Sequence, residues 1–199
     1  MRFLLADMMI DSMANKILKK FIHSNIIEPG DEEIYLYGLQ MMISGIVKFA
    51  GFMMIAWVLG WIPEALVFIT AFSSLRVYAG GYHADTYLKC FIITAAAAFV
   101  SIFIVKAWAE IYMYQFTVVL ILAACLMIFR YAPVDSPNKR MVGNERRIFR
   151  AKTLRIMFMQ VALISVIMFF APQWMVFCNI AAMAMYFEGM SLLPIFAGE

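Results

Sequence analysis

Phe91-Ile-Ile-Thr-Ala-Ala-Ala-Ala-Phe-Val-Ser-Ile-Phe-Ile-Val105 is the stretch that decides how this chain must be read. Taken from Leu88, it approaches the roughly 20 apolar residues that carry a helix across the hydrocarbon layer of a bilayer. Five other stretches share its character, at about 34–60, 63–78, 111–129, 154–171 and 174–196, the 63–78 stretch being short. The chain has 199 residues, of which 65% are hydrophobic and 15% charged, with a mean hydropathy of +0.85. Soluble domains run near half apolar and a quarter charged. So much apolar surface cannot be hidden in one core of this size, and most of it must face lipid. The expectation is an all-α polytopic membrane protein with about six transmembrane helices, forming one integral membrane domain over 1–199. The membrane is its expected environment, and nucleic acid is not an expected partner.

The breaks between spans are local. Trp61-Ile62-Pro63 ends one span and lets Pro63 open the next at a first-turn position, where a missing N–H costs nothing. Ala171-Pro172-Gln173 does the same between the last two spans. Trp57, Trp61, Trp108 and Trp174 fall near predicted ends on one side, as an interfacial belt would. Basic residues then set the orientation. Arg2, Lys16, Lys19 and Lys20 precede the first span, Arg76 and Lys89 flank the second cytoplasmic connection, and eight basic residues from Arg130 to Arg155 crowd the third. The intervening turns carry only Lys106, offset by Glu110. Strict alternation fits six crossings with both termini in the cytoplasm.

Ahead of the first span, Asp7 and Asp11 interrupt any signal-peptide core. Phe3, Ala6, Ile10, Met13, Ile17 and Phe21 instead recur at helical spacing, with Asp7, Asp11, Asn15, Lys16, Lys19 and Lys20 on the other face. This predicts an amphipathic helix over 1–25 that either lies in the cytoplasmic interface or packs on the protein itself. The methionines scattered through the spans read as adaptable packing.

Chemistry concentrates in Arg76-Val-Tyr-Ala-Gly80-Gly81-Tyr-His83-Ala-Asp85-Thr-Tyr-Leu-Lys-Cys90. Of three cysteines, Cys125 and Cys178 fall mid-span with no titratable neighbour in sequence and read as small hydrophobes. Cys90 follows a histidine, a Gly-Gly pair and two cationic residues. A thiol becomes a strong nucleophile when ionised, and an imidazole or nearby cations supply that ionisation. A backbone N–H beside flexible glycines can stabilise an oxyanion. On one continuous helix His83 and Cys90 would be separated by about 10 Å of rise, so direct proton transfer requires a fold-back near Gly80-Gly81. Asp85 then caps the third span. The bland alternative is a tight turn with a solvated histidine and a packed cysteine. His23, in a polar stretch, is expected to be solvated. Neither histidine has a second ligand at metal spacing, so no metal or other cofactor is expected.

Lys48 and Glu188 lie inside predicted spans, where ionisable groups need partners. They are expected to pair with each other, as a structural pair or as the lining of a substrate path. The proline-braced loop Ala132–Arg140 and the basic helical stretch after it read first as a topology signal or a headgroup contact, with acidic-peptide recruitment as a further use.

The motif Arg76–Ala84 with Cys90, followed by Tyr131-Ala-Pro-Val-Asp-Ser-Pro-Asn-Lys139, resembles the accessory gene regulator protein B (AgrB) family across nearly the whole chain. The resemblance implies a bacterial, Gram-positive membrane endopeptidase of peptide quorum sensing that cuts the C-terminal tail from a small AgrD-like propeptide. It implies Cys90 as nucleophile and His83 as its base, with Arg76 and Gly81 as motif partners. Gly80 and Asp85 beside them are supporting candidates, Asp85 as a weakly argued orienter of His83, and a two-member dyad is the default expectation. It also implies a basic cluster at Lys139 and Arg140, extended here by Arg146 and Arg147, that meets an acidic propeptide tail. The product is a cyclic thiolactone or lactone, and the assembly a homodimer. A competing class is a membrane transporter or peptide exporter, although no inverted repeat is visible.

Overall fold

In the computed structural model the described residues are 2–24, 26–27, 30–82, 86–108, 113–135 and 144–195, without the side chains of 2–7, 108 and 113. They form seven α-helices and no strand: α1 (Arg2–His23), α2 (Glu32–Leu59), α3 (Ile62–Ala79), α4 (Tyr87–Trp108), α5 (Met113–Tyr131), α6 (Glu145–Phe170) and α7 (Met175–Ser191). Helices α2 to α6 are long and apolar enough to cross a membrane. The sixth expected crossing corresponds to α7, which at 17 residues is shorter than those five.

Pro63 and Pro172, expected as breaks, lie at helix starts, and a glycine the sequence reading did not name closes α2. Gly60 takes the left-handed conformation at φ 68° and closes α2, its N–H reaching the carbonyls of Ala56 and Trp57. Pro63 sits in the first turn of α3. Pro172 opens a 3₁₀ turn, Pro172–Trp174, that leads into α7. The basic stretch at 145–155 is helical and continuous with the span that follows, so α6 begins at Glu145.

The chain divides into two compact units, Met1–Gly60 with Ala84–Ala95, and Trp61–His83 with Ala96–Glu199. In the first, α1 folds back on α2. Ile10, Ala14 and Leu18 are buried with Leu39 and Ile43, and Ile17 and Phe21 pack beside them. Asp11 accepts a hydrogen bond from Gln40 of α2 at 2.9 Å. Of the two readings of α1, packing on the protein is therefore realised along this face. Met13 departs from expectation: it is 49% exposed, and Ala14 takes the buried position. Phe3 and Ala6 lie outside the described side chains.

In the second unit α7 is the centre. It packs against α5, α3 and α6, and its buried residues run from Met175 through Ala182 and Met185 to Gly189 on every side of the helix. Gly189 lets α5 approach closely, since a Cβ there would stand 3.0 Å from Met127 Cε. Polarity is arranged as lipid requires. Ser101, Thr117, Asn179 and Glu188 are buried, while Leu126, Phe169 and Phe170 are each more than 70% exposed. The buried Thr117 hydroxyl donates to the Asn179 side-chain oxygen, whereas the buried Ser44 hydroxyl has no hydrogen-bond partner among the described residues.

Candidate functional site

Cys90 lies in the first unit, on the first turns of α4. Thr86 begins the helix: its Oγ1 accepts the Lys89 N–H at 3.2 Å, and its carbonyl accepts the Cys90 N–H at 3.1 Å. This is the hydrogen bonding of an N-cap. Asp85, the expected cap, lies outside the described residues; the Thr86 hydroxyl is at the distance that reaches the third helical residue. Neighbouring side chains on α4 are held by α2. The Lys48 ammonium stands 5.3 Å from the Tyr87 ring centroid, and the Phe91 ring lies against Gly51, where a Cβ would meet Phe91 Cζ at 3.2 Å. Cys90 is half-buried and its thiol is free. Cys125 is a free, half-buried thiol in the middle of α5, and Cys178 is buried in α7 with its thiol 3.9 Å from the Ile164 carbonyl.

Arg76, Gly80 and Gly81 lie in the second unit, where α3 ends. The Gly80 N–H bonds the Arg76 carbonyl at 3.2 Å, and the Ala79 carbonyl accepts the Val134 N–H at 2.9 Å. Gly80 stands at φ 75° and Gly81 at φ 111°. A Cβ on Gly80 would collide with the Val134 carbonyl oxygen, and one on Gly81 would stand 2.5 Å from both Arg76 Nη1 and Ser191 Oγ. Arg76 binds three groups at once. Its Nη1 donates to Ser191 Oγ at 2.7 Å and faces Glu188 Oε2 at 3.4 Å, while its Nη2 donates to the Tyr82 carbonyl. The Tyr82 N–H bonds the Ser191 carbonyl at 2.9 Å.

Lys48 and Glu188, expected as partners, lie in different units, and each has a neighbour within its own. Glu188, fully buried in α7, takes Arg76 as its counter-ion, and Lys48 rests on Tyr87. The guanidinium suits this place because it reaches a carboxylate, a hydroxyl and a carbonyl together through several planar donors.

His83, Asp85, Lys139 and Arg140 lie outside the described residues. Arg146 and Arg147 are exposed on the first turn of α6, and Arg150 beyond them donates to the Phe129 carbonyl at 3.1 Å. His23 is exposed, as expected. Three residues escaped the sequence reading: Thr86, Val134 and Ser191. A threonine just before an apolar run is a legible cap signal. Nothing local marks Val134 or Ser191, whose role comes from contacts with a segment more than 50 residues earlier.

Apolar helices that bury their polar groups and expose their largest hydrophobes define a multi-pass membrane protein. The chain belongs to the accessory gene regulator B family, whose model matches residues 10–192, and its role lies in the accessory gene regulator system. It is 26% identical over 176 residues to a protein of Clostridium perfringens (strain 13 / Type A) described as AgrB-like, covering 83% of this chain and 81% of that one. A similarly described protein of Clostridium acetobutylicum is 28% identical over 79% of this chain and 73% of its own length. One from Listeria monocytogenes serotype 4a is 31% identical over 63% of this chain and 60% of its own. No solved structure matches the chain.

Proposed function

We propose that this chain is a membrane cysteine endopeptidase of a Gram-positive bacterium that removes the C-terminal tail of an AgrD-like propeptide and promotes its cyclisation. Cys90 is the nucleophile and His83 its base. The imidazole takes the thiol proton, and the sulfur attacks a propeptide carbonyl. The carbonyl–nitrogen bond then breaks, and the imidazolium returns its proton to the leaving amine. The propeptide is left as a thioester on Cys90. A cysteine or serine within the same peptide attacks that thioester, releasing a thiolactone or lactone and restoring the thiol. The tether raises the effective concentration of the internal nucleophile.

The observation that carries this reading is the setting of Cys90. It occupies the first turns of a capped helix, the end at which the helix dipole favours developing negative charge. Cys125 and Cys178 sit in helix interiors instead. Arg146 and Arg147, with Lys139 and Arg140, receive the acidic tail at the cytoplasmic face, both termini lie on that side, and the protein works as a homodimer in a single integral membrane domain. The test is intact mass after adding the propeptide encoded nearby to the purified full chain. An adduct equal to the propeptide without its tail, absent from Cys90→Ser and His83→Ala, is the expected result. Folded protein that forms no adduct and no cleaved peptide would turn the reading toward transport.

A further inference from the structure

Glu188 and Ser191 have no part in the chemistry above, yet they close a network around the segment that leads to His83. We propose that they are positioning residues, which act through Arg76 and the Tyr82 backbone to aim the proposed base. The inference rests on the preceding reading of His83.

Both polar groups of the Tyr82 backbone are held by this network. Its N–H is bound by the Ser191 carbonyl at 2.9 Å, and its carbonyl by Arg76 Nη2. That carbonyl belongs to the peptide group joining Tyr82 to His83, and a peptide group is planar, so a hydrogen bond to it restrains the whole plane. Arg76 is restrained in turn. Ser191 Oγ accepts from Nη1 at 2.7 Å, and the same hydroxyl donates to the Glu188 carbonyl at 2.8 Å. The Glu188 carboxylate balances the guanidinium at 3.4 Å. Gly81 fits only because it lacks a Cβ, which would stand 2.5 Å from both Arg76 and Ser191.

A structural staple could be built more cheaply. A carboxylate in an apolar helix is expensive to bury, and Glu188 is fully buried with its Oε1 lacking any hydrogen-bond partner among the described residues. An exposed loop would satisfy Tyr82 with water. Burying a charge to hold one peptide plane is reasonable where the direction of the next residue matters.

The test uses the full-length protein in lipid vesicles and measures alkylation of Cys90 by iodoacetamide against pH, read site by site by mass spectrometry. His83→Ala sets the baseline for a cysteine without its base. Glu188→Gln and Ser191→Ala should slow alkylation at neutral pH by on the order of 10- to 100-fold, the range that misplacing a group by about 1 Å produces. Their profiles should move toward that of His83→Ala. Neither should slow it further in the His83→Ala background, and Ser191→Thr, which keeps the hydroxyl, should restore the rate. If Glu188→Gln does not fold, the Ser191→Ala and Ser191→Thr pair decides. A His83→Ala shift with wild-type profiles in Glu188→Gln and Ser191→Ala overturns the positioning role alone. No shift in His83→Ala overturns the histidine's role as base, and this inference with it.

Discussion

At Gly80 and Gly81 the backbone stands at φ 75° and 111°, conformations that cost a residue with a Cβ roughly 1–2 kcal/mol. Both sites add a collision to that strain, with the Val134 carbonyl at Gly80 and with Arg76 and Ser191 at Gly81. Gly30, at φ 112° with nothing within 4 Å of the point where a Cβ would stand, has the strain alone. Alanine at Gly80 or Gly81 should therefore lower the unfolding midpoint in detergent clearly more than Gly30→Ala does, and should reduce propeptide cleavage as Gly30→Ala does not. Equal effects at the three sites would mean that strain dominates and the close approach is unimportant. The sequence by its own pattern marks Gly80-Gly81, Arg76 and Cys90. It also marks Glu188 as an ionisable group needing a partner, but points to Lys48. Arg76 is 112 residues away from Glu188, and no local pattern carries that separation.

Helix ends show the same contrast at a larger scale. Pro63 and Pro172 are readable because each acts on its own backbone angle and its own missing donor. At the start of α4 the Thr86 hydroxyl makes a cap hydrogen bond that the sequence reading did not assign to it, because Asp and Thr both serve as caps and only geometry shows which hydroxyl or carboxylate is in reach. Thr86→Ala removes the hydroxyl that holds the Lys89 N–H and should cost about 0.5–2 kcal/mol of local helix stability. Hydrogen exchange should then quicken at the Lys89 and Cys90 amides, with no change in α7. Unaltered exchange at those amides would show that the cap contributes nothing. The periodicity of α1 is legible in the sequence, but its exact face is not: Ala14 rather than Met13 meets α2. The two positions differ by about 100° around the helix, and both are apolar enough to fit.

For the molecule as a whole, the decisive property is that large hydrophobes face outward. Leu126 on α5 is 72% exposed, so on a soluble protein Leu126→Arg would be harmless. Facing hydrocarbon, an arginine near a helix centre costs about 2.5–3.5 kcal/mol by insertion scales. The variant should show reduced recovery in the membrane fraction and a lower thermal midpoint, whereas Arg147→Ala on exposed α6 should leave both unchanged. Normal integration of Leu126→Arg would mean that this face is not presented to lipid. Hydropathy, helix punctuation and the Arg76–Cys90 motif were determined by the sequence itself, because each depends on residues close together in the chain or on bulk transfer from water to lipid. Tertiary structure decided that α7 is the buried centre of its unit, that Glu188 answers Arg76, and that Val134 and Ser191 hold the glycine pair. Those outcomes depend on which helices pack together. A uniformly apolar helix has no polar face to announce its neighbours, so its sequence does not record them.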